Sequence, residues 1–323
     1  MIMITVGGIL AFILAFLLGI PYIDLMKKKM YGQYIREVAP ENHAKKQGTP
    51  TTGGAFIIVS ILAAAIVTLL LAQKLGANAW IILITTTLFA LLGYKDDMIK
   101  INGKNNQGLT AKGKLVAQIA IALIPAIFVT INGATQVDFL GLSVNLGWFY
   151  PIFAGIVIVG TSNAFNLTDG LDGLATSCAI PVFLAFIGIA TYTPRTDIAI
   201  ISAVAVGALL GFLKYNKAKA QIFMGDTGSL ALGGLMGTLA VVGKFEVFLA
   251  ILAGLFVIEA LSVIIQVLHY KATGERFFRM APLHHHYELC NHTEEQIVKR
   301  FAMVSALFAL LGLLLYTGGN IVW

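Results

Sequence analysis

The stretch "IILITTTLFALLGYKDDMIK", Ile81 to Lys100, is apolar for most of its length and ends in two adjacent carboxylates, Asp96 and Asp97. A helix needs about 17–25 apolar residues to cross a bilayer, and 78–94 supplies them. The rest of the chain repeats the pattern. Of 323 residues, 58% are hydrophobic and 12% charged, with a mean hydropathy of +0.85. A soluble domain carries roughly 25% charged residues, so the composition excludes one and marks an integral membrane protein.

Ten such segments are expected, at 4–24, 53–72, 78–94, 114–131, 148–166, 173–192, 197–213, 227–243, 246–270 and 301–319. The expected architecture is an all-α integral membrane protein, a single polytopic domain over 1–323 with about ten transmembrane helices. The first run has no basic residue before it and no small-residue cleavage site, so it reads as a retained helix. Residues 132–147, "NGATQVDFLGLSVNLG", alternate apolar and polar around Gly141 and predict a short exposed hairpin. Cys178 and Cys290 are too few and too far apart for a disulfide framework or a metal knuckle.

Alternate loops divide the cations unequally. Of 22 Lys and Arg, all but Lys74, Arg195 and Lys244 fall on one side. The positive-inside rule makes that side cytoplasmic and puts both termini and the hairpin outside. The same side takes the six histidines and every acid except Asp138, Asp197, Glu246 and Glu259. Only Glu259 lies within a span. A flippase or ion-coupled transporter would carry more ionisable groups near the midplane, and a structural scaffold would need no paired acids. The expected site is therefore cytoplasmic and interfacial.

Four constellations lie there. Asp96 and Asp97 are expected at the C-terminal end of the third span, where the helix dipole disfavours carboxylates by about 0.3–1 kcal/mol each. An i,i+4 pair with Lys100 accounts for Asp96 alone. A divalent cation, or cationic groups gathered for a phosphate, accounts for both. "NAFNLTDGLDGLA", 163–175, gathers Asn163, Asn166, Asp169 and Asp172 between glycines, more than one helix cap requires. In "NKAKAQIFMGDTGSL", 216–230, Asp226 or Thr227 reads as a helix cap, and Asp226 also as one of the few carboxylates that Mg²⁺ takes. Phe223 offers a ring for a base. In "ERFFRMAPLHHHYE", 275–288, Arg276 and Arg279 suit phosphate or lipid headgroups. His284, His285 and His286 are consecutive, so a regular helix cannot aim all three at one ion. The Lys45–Lys46 pair before "QGTPTTGG" adds a weaker phosphate signal.

Together these residues suggest phosphoryl chemistry at a membrane surface. "GYKDDMIK", "GLTAKGKL", "NAFNLTDGLDGLA", "FMGDTGSLALGG" and "MAPLHHHYE", in this order, resemble the polyprenyl-phosphate N-acetylhexosamine-1-phosphate transferase superfamily. The histidine loop resembles its phospho-N-acetylmuramoyl-pentapeptide transferase branch; a UDP-GlcNAc:polyprenyl-phosphate GlcNAc-1-phosphate transferase is the alternative. The resemblance implies transfer of phospho-MurNAc-pentapeptide from its UDP donor to undecaprenyl phosphate, giving lipid I and UMP, with Mg²⁺ as cofactor. It implies Asp226 as the clearest metal ligand, with Asp96 and Asp97 beside it serving catalysis. Lys46, Thr51, Asn166, Asp169, Gly170, Leu171, Asp172 and Phe223 match positions around the nucleotide. Lys100, Lys112, Asn216 and the three histidines match the polar site. Gln266 would lie on a bent ninth helix that lines a lipid groove. Membrane lipid is an expected partner, a homodimer is compatible with the sequence, and no nucleic acid is expected.

Overall fold

The computed structural model describes residues 1–29, 48–103 and 107–321. Helices α1 (Ile2–Lys28), α2 (Gly54–Leu71), α3 (Ala77–Asn102) and α4 (Ala111–Ile131) precede a two-stranded hairpin. Its strands, β1 (Gln136–Phe139) and β2 (Leu142–Asn145), pair antiparallel and turn through Leu140 and Gly141, both in left-handed backbone. There follow α5 (Tyr150–Thr168), α6 (Leu174–Tyr192), α7 (Thr196–Asn216), α8 (Gly225–Gly243), α9 (Glu246–Leu252), α10 (Gly254–Thr273), α11 (Leu283–Glu288) and α12 (Glu294–Ile321).

Nine helices among the described residues are long and apolar enough to cross a membrane. They present Leu17, Val116, Ile156, Leu268, Leu307 and other large apolar side chains outward, as a lipid-facing surface requires. The expected span 227–243 is α8, which differs from the rest. It is glycine-rich and buried from Thr227 to Gly243, with α2, α3, α4 and α5 packed around it. Small residues let helix backbones approach closely where hydrocarbon gives no hydrophobic drive for association. A Cβ on Gly93 of α3 would overlap the backbone of Asp226 at the start of α8.

Two expectations are refined. The run 246–270, for which the resemblance implied a bend, divides into two helices: α9 ends at Leu252, and the backbone at Ala253 (φ −100°, ψ 29°) turns α10 away. The Phe308 ring of α12 packs on Gly254 at this break. Helix α3 does not end at residue 94 but continues to Asn102. Asp96 and Asp97 therefore sit before its last turn, beyond the reach of the expected dipole penalty, which falls off within that turn.

Candidate active site

Asp97 is explained by a neighbouring helix. The backbone N–H of Asp226 donates to its Oδ1 at 3.0 Å, and the backbone N–H of Thr227 to its Oδ2 at 2.9 Å. The Thr227 hydroxyl donates to the same Oδ2 at 2.6 Å. A buried carboxylate on α3 thus caps α8, where unpaired N–H groups and the helix dipole favour an anion. Neither Asp226 nor Thr227 caps α8 through its own oxygen, contrary to expectation. Gly225 has φ +72°, and a Cβ there would press on Asp97 Oδ2 and Thr51 Oγ1.

Asp96 and Asp226 share two ammonium groups. Lys100 Nζ lies 2.6 Å from Asp96 Oδ2 and 2.9 Å from Asp226 Oδ2. Lys114 Nζ lies 2.6 Å from the same Asp226 oxygen and 4.0 Å from Asp96. Leu109 N–H donates to Asp96 Oδ1 at 2.8 Å, and Asn166 Nδ2 to Asp226 Oδ1 at 2.9 Å. Oxygens of Asp96, Asp97 and Asp226 all lie within 4.8 Å of one another. Among the described residues three carboxylates face two lysines, a formal excess of one negative charge that suits a cation.

The loops beside it are tied together. Phe223 N–H donates to Pro50 O at 2.8 Å, and Gly53 N–H to Phe223 O at 2.9 Å, joining the "GTPTTGG" loop to the loop entering α8. Thr51 is buried in this junction, and Phe223 is half-buried. Asp172 Oδ2 accepts from Ala220 N–H at 2.9 Å. Asn216 accepts from Thr176 at 3.0 Å and donates to Ile222 O at 3.2 Å. Leu171 is buried and Gly170 half-buried. Burial, then the charges of Asp226, Asp97 and Asp172, push the Asp169 carboxyl well above the usual range.

Some predicted residues stand apart. Asn163 pairs amide to amide with buried Gln118 of α4, at 2.9 and 3.3 Å. Lys112 is exposed; the lysine that reaches the cluster is Lys114, about 200° further round α4. Lys46 lies outside the described residues. Gln266 of α10 holds the backbone of Phe278 in both directions, at 2.8 and 3.1 Å. The histidines face separate partners: His284 Nδ1 faces Glu259 at 3.1 Å, His285 Nδ1 faces Glu288 at 2.6 Å, and His286 Nδ1 accepts from Arg279 N–H at 3.2 Å. The local sequence could not pair Lys114 with Asp226 or Thr227 with Asp97, which lie 112 and 130 residues apart along the chain.

Residues 79–244 match the profile of glycosyl transferase family 4, and this segment holds all three clustered aspartates. Over 308 residues, 94% of this chain and 95% of theirs, it is 46% identical to the phospho-N-acetylmuramoyl-pentapeptide-transferases of Bacillus licheniformis and Bacillus subtilis. The protein of that name from Oceanobacillus iheyensis is 44% identical over 318 residues, 96% of this chain and 97% of its own. Similarity of this extent spans nearly the whole chain, from the aspartate cluster to the histidine loop. The chain belongs to the phospho-N-acetylmuramoyl-pentapeptide-transferase family.

Proposed function

We propose that this protein transfers phospho-MurNAc-pentapeptide from UDP-MurNAc-pentapeptide to undecaprenyl phosphate, releasing UMP and forming lipid I, the first membrane step of peptidoglycan synthesis. The observation that carries the reading is the meeting of Asp96, Asp97 and Asp226 with Lys100, Lys114 and Asn166 at one end of an apolar helical bundle. The cation-rich loops at that end support placing it in the cytoplasm, with ten crossings and both termini outside.

The donor set fits Mg²⁺, a hard cation that takes one or two protein carboxylates and completes its shell with phosphate and water. Asp226 and Asp96 would hold it, with Asp97 completing the acidic cluster. Bound there, the ion supplies charge neutralisation at the diphosphate. Lys100 and Lys114 bring two further positive charges to the same place. The 169–172 loop and Phe223 flank the position expected for the nucleotide.

A phosphate monoester has a second pKa of about 6, so the acceptor is largely a dianion at neutral pH. It needs little help from a base, and direct attack by the lipid phosphate follows, with Asp96 and Asp97 positioning the acceptor and any proton it carries. A phosphorylated aspartate trapped with labelled donor in the absence of acceptor would overturn that step.

The test of function is UMP release by purified protein with undecaprenyl phosphate and Mg²⁺, with UDP-MurNAc-pentapeptide and UDP-GlcNAc as parallel donors. Turnover of the muramoyl donor alone is expected, lost in Asp226→Ala and on chelation, and restored by Mg²⁺. Turnover of UDP-GlcNAc would move the protein to the GlcNAc-1-phosphate branch. No UMP from either donor, in folded protein, would sink the reading.

A further inference from the structure

One buried pair lies outside the aspartate cluster. Glu259, on α10, is fully buried, and so is His284, at the start of α11. Both carboxylate oxygens of Glu259 face this one histidine. Oε1 accepts from the His284 backbone N–H at 3.2 Å, and Oε2 lies 3.1 Å from Nδ1. The other ring nitrogen, Nε2, is buried without a hydrogen-bond partner among the described residues. It lies against Gly170, where an added Cβ would overlap it. Gly170 follows Asp169 in the loop that leaves α5 just past Asn166, whose amide holds Asp226. A line of contacts therefore runs from Glu259 through His284 to the loop beside the aspartates.

We propose that Glu259 is a positioning residue for the transfer reaction. It acts through His284, keeping the ring proton on Nδ1 and aiming the Nε2 lone pair at the Gly170 loop. The inference rests on the transferase reading above. A carboxylate that accepts from one ring nitrogen fixes both the tautomer and the orientation of an imidazole. The backbone N–H makes the assignment strict, because it can only donate and so must keep an acceptor at Oε1. A glutamine at 259 has one acceptor, which the N–H claims, and its NH₂ then faces Nδ1. That arrangement forces the proton to Nε2. In a Ser-His-Asp triad, the same carboxylate-to-amide change leaves the geometry intact and inverts the tautomer.

The experiment has two independent readouts. Nitrogen NMR of ¹⁵N-histidine-labelled protein, with His284 assigned from its loss in His284→Gln, reports the tautomer without substrate. A protonated Nδ1 with bare Nε2 is expected in the wild type, and the reverse in Glu259→Gln. UMP release should then show kcat lowered roughly 10²-fold in Glu259→Gln, with donor KM within about threefold. Glu259→Asp, which keeps two acceptors, should recover most of the loss. Glu259→Gln added to His284→Gln should cost nothing further, since the two act as one unit. A bare Nδ1 in the wild type overturns the proposal, and so does an unchanged kcat in Glu259→Gln. If the wild type itself releases no UMP, the functional reading fails, and the tautomer still decides whether Glu259 sets the ring.

Discussion

The two ends of α8 bury charge differently. At its C-terminus, Lys244 donates to Glu246 at 2.7 Å and to Tyr150 Oη at 2.9 Å, while Tyr150 donates to Glu246 at 2.9 Å. The ammonium also lies over the Tyr150 ring, 4.1 Å from its centroid. One cation meets one anion, and a hydroxyl closes the triangle. At the N-terminus, three carboxylates meet two ammonium groups. Both arrangements complement the dipole of α8, with the Asp97 anion at one end and the Lys244 cation at the other. Among the described residues, the N-terminal end alone has a formal charge left over. The closed triangle is a lock between the hairpin end of α5 and the α8–α9 corner; the unbalanced cluster is the candidate site.

That contrast breaks most sharply at Asp226. Asp226→Asn should lower UMP release by roughly 10²–10³-fold while the protein stays folded, the scale of losing one charge-stabilising group at a reacting centre. Glu246→Gln at the other end should leave turnover within about twofold. If both variants lose activity alike, the two ends are not functionally distinct.

Within the adjacent pair, Asp97 should matter for stability and Asp96 should not. Asp97→Ala removes the acceptor of three hydrogen bonds at the buried start of α8, a loss of about 2–3 kcal/mol. Asp96→Ala removes a partner that Lys100 replaces with Asp226, and its melting point in detergent should stay near the wild type. Equal melting points for the two alanine variants would mean that the cap carries no weight. Glu246→Gln should cost about 2 kcal/mol by the same measurement, because it leaves the mostly buried Lys244 without its anion.

The bundle was legible because a bilayer demands long apolar segments, and their lengths and cation-rich loops can be counted along the chain. The hairpin was legible from its alternation around Gly141. The reason for Asp97 was not, since its partners, Asp226 and Thr227, lie some 130 residues further on. Read locally, Asp97 looked like a carboxylate at the wrong end of a helix. The resemblance implied a bend in the ninth span but not its place at Ala253, because no proline marks it and the Phe308 ring that packs there belongs to α12. Glu259 stood out as an intramembrane acid, but its pairing with His284 needed the fold.

The finest test concerns two lysines in "GLTAKGKL". Resemblance pointed to Lys112, whereas the fold brings Lys114 to Asp226. Thr110 caps α4 by accepting from Gly113 N–H at 3.2 Å, and this sets the phase of the helix. Two residues further on, a side chain has turned by about 200°, so Lys112 and Lys114 face opposite ways. Lys114→Gln should lower kcat/KM about tenfold, because it removes a cation that sits 2.6 Å from Asp226 at the unbalanced end. Lys112→Gln should change it by no more than about twofold, as expected for an exposed charge that salt screens. The effect of Lys112→Gln should also shrink as ionic strength rises, whereas that of Lys114→Gln should persist. The reverse order would mean that the donor, once bound, draws Lys112 into the cluster.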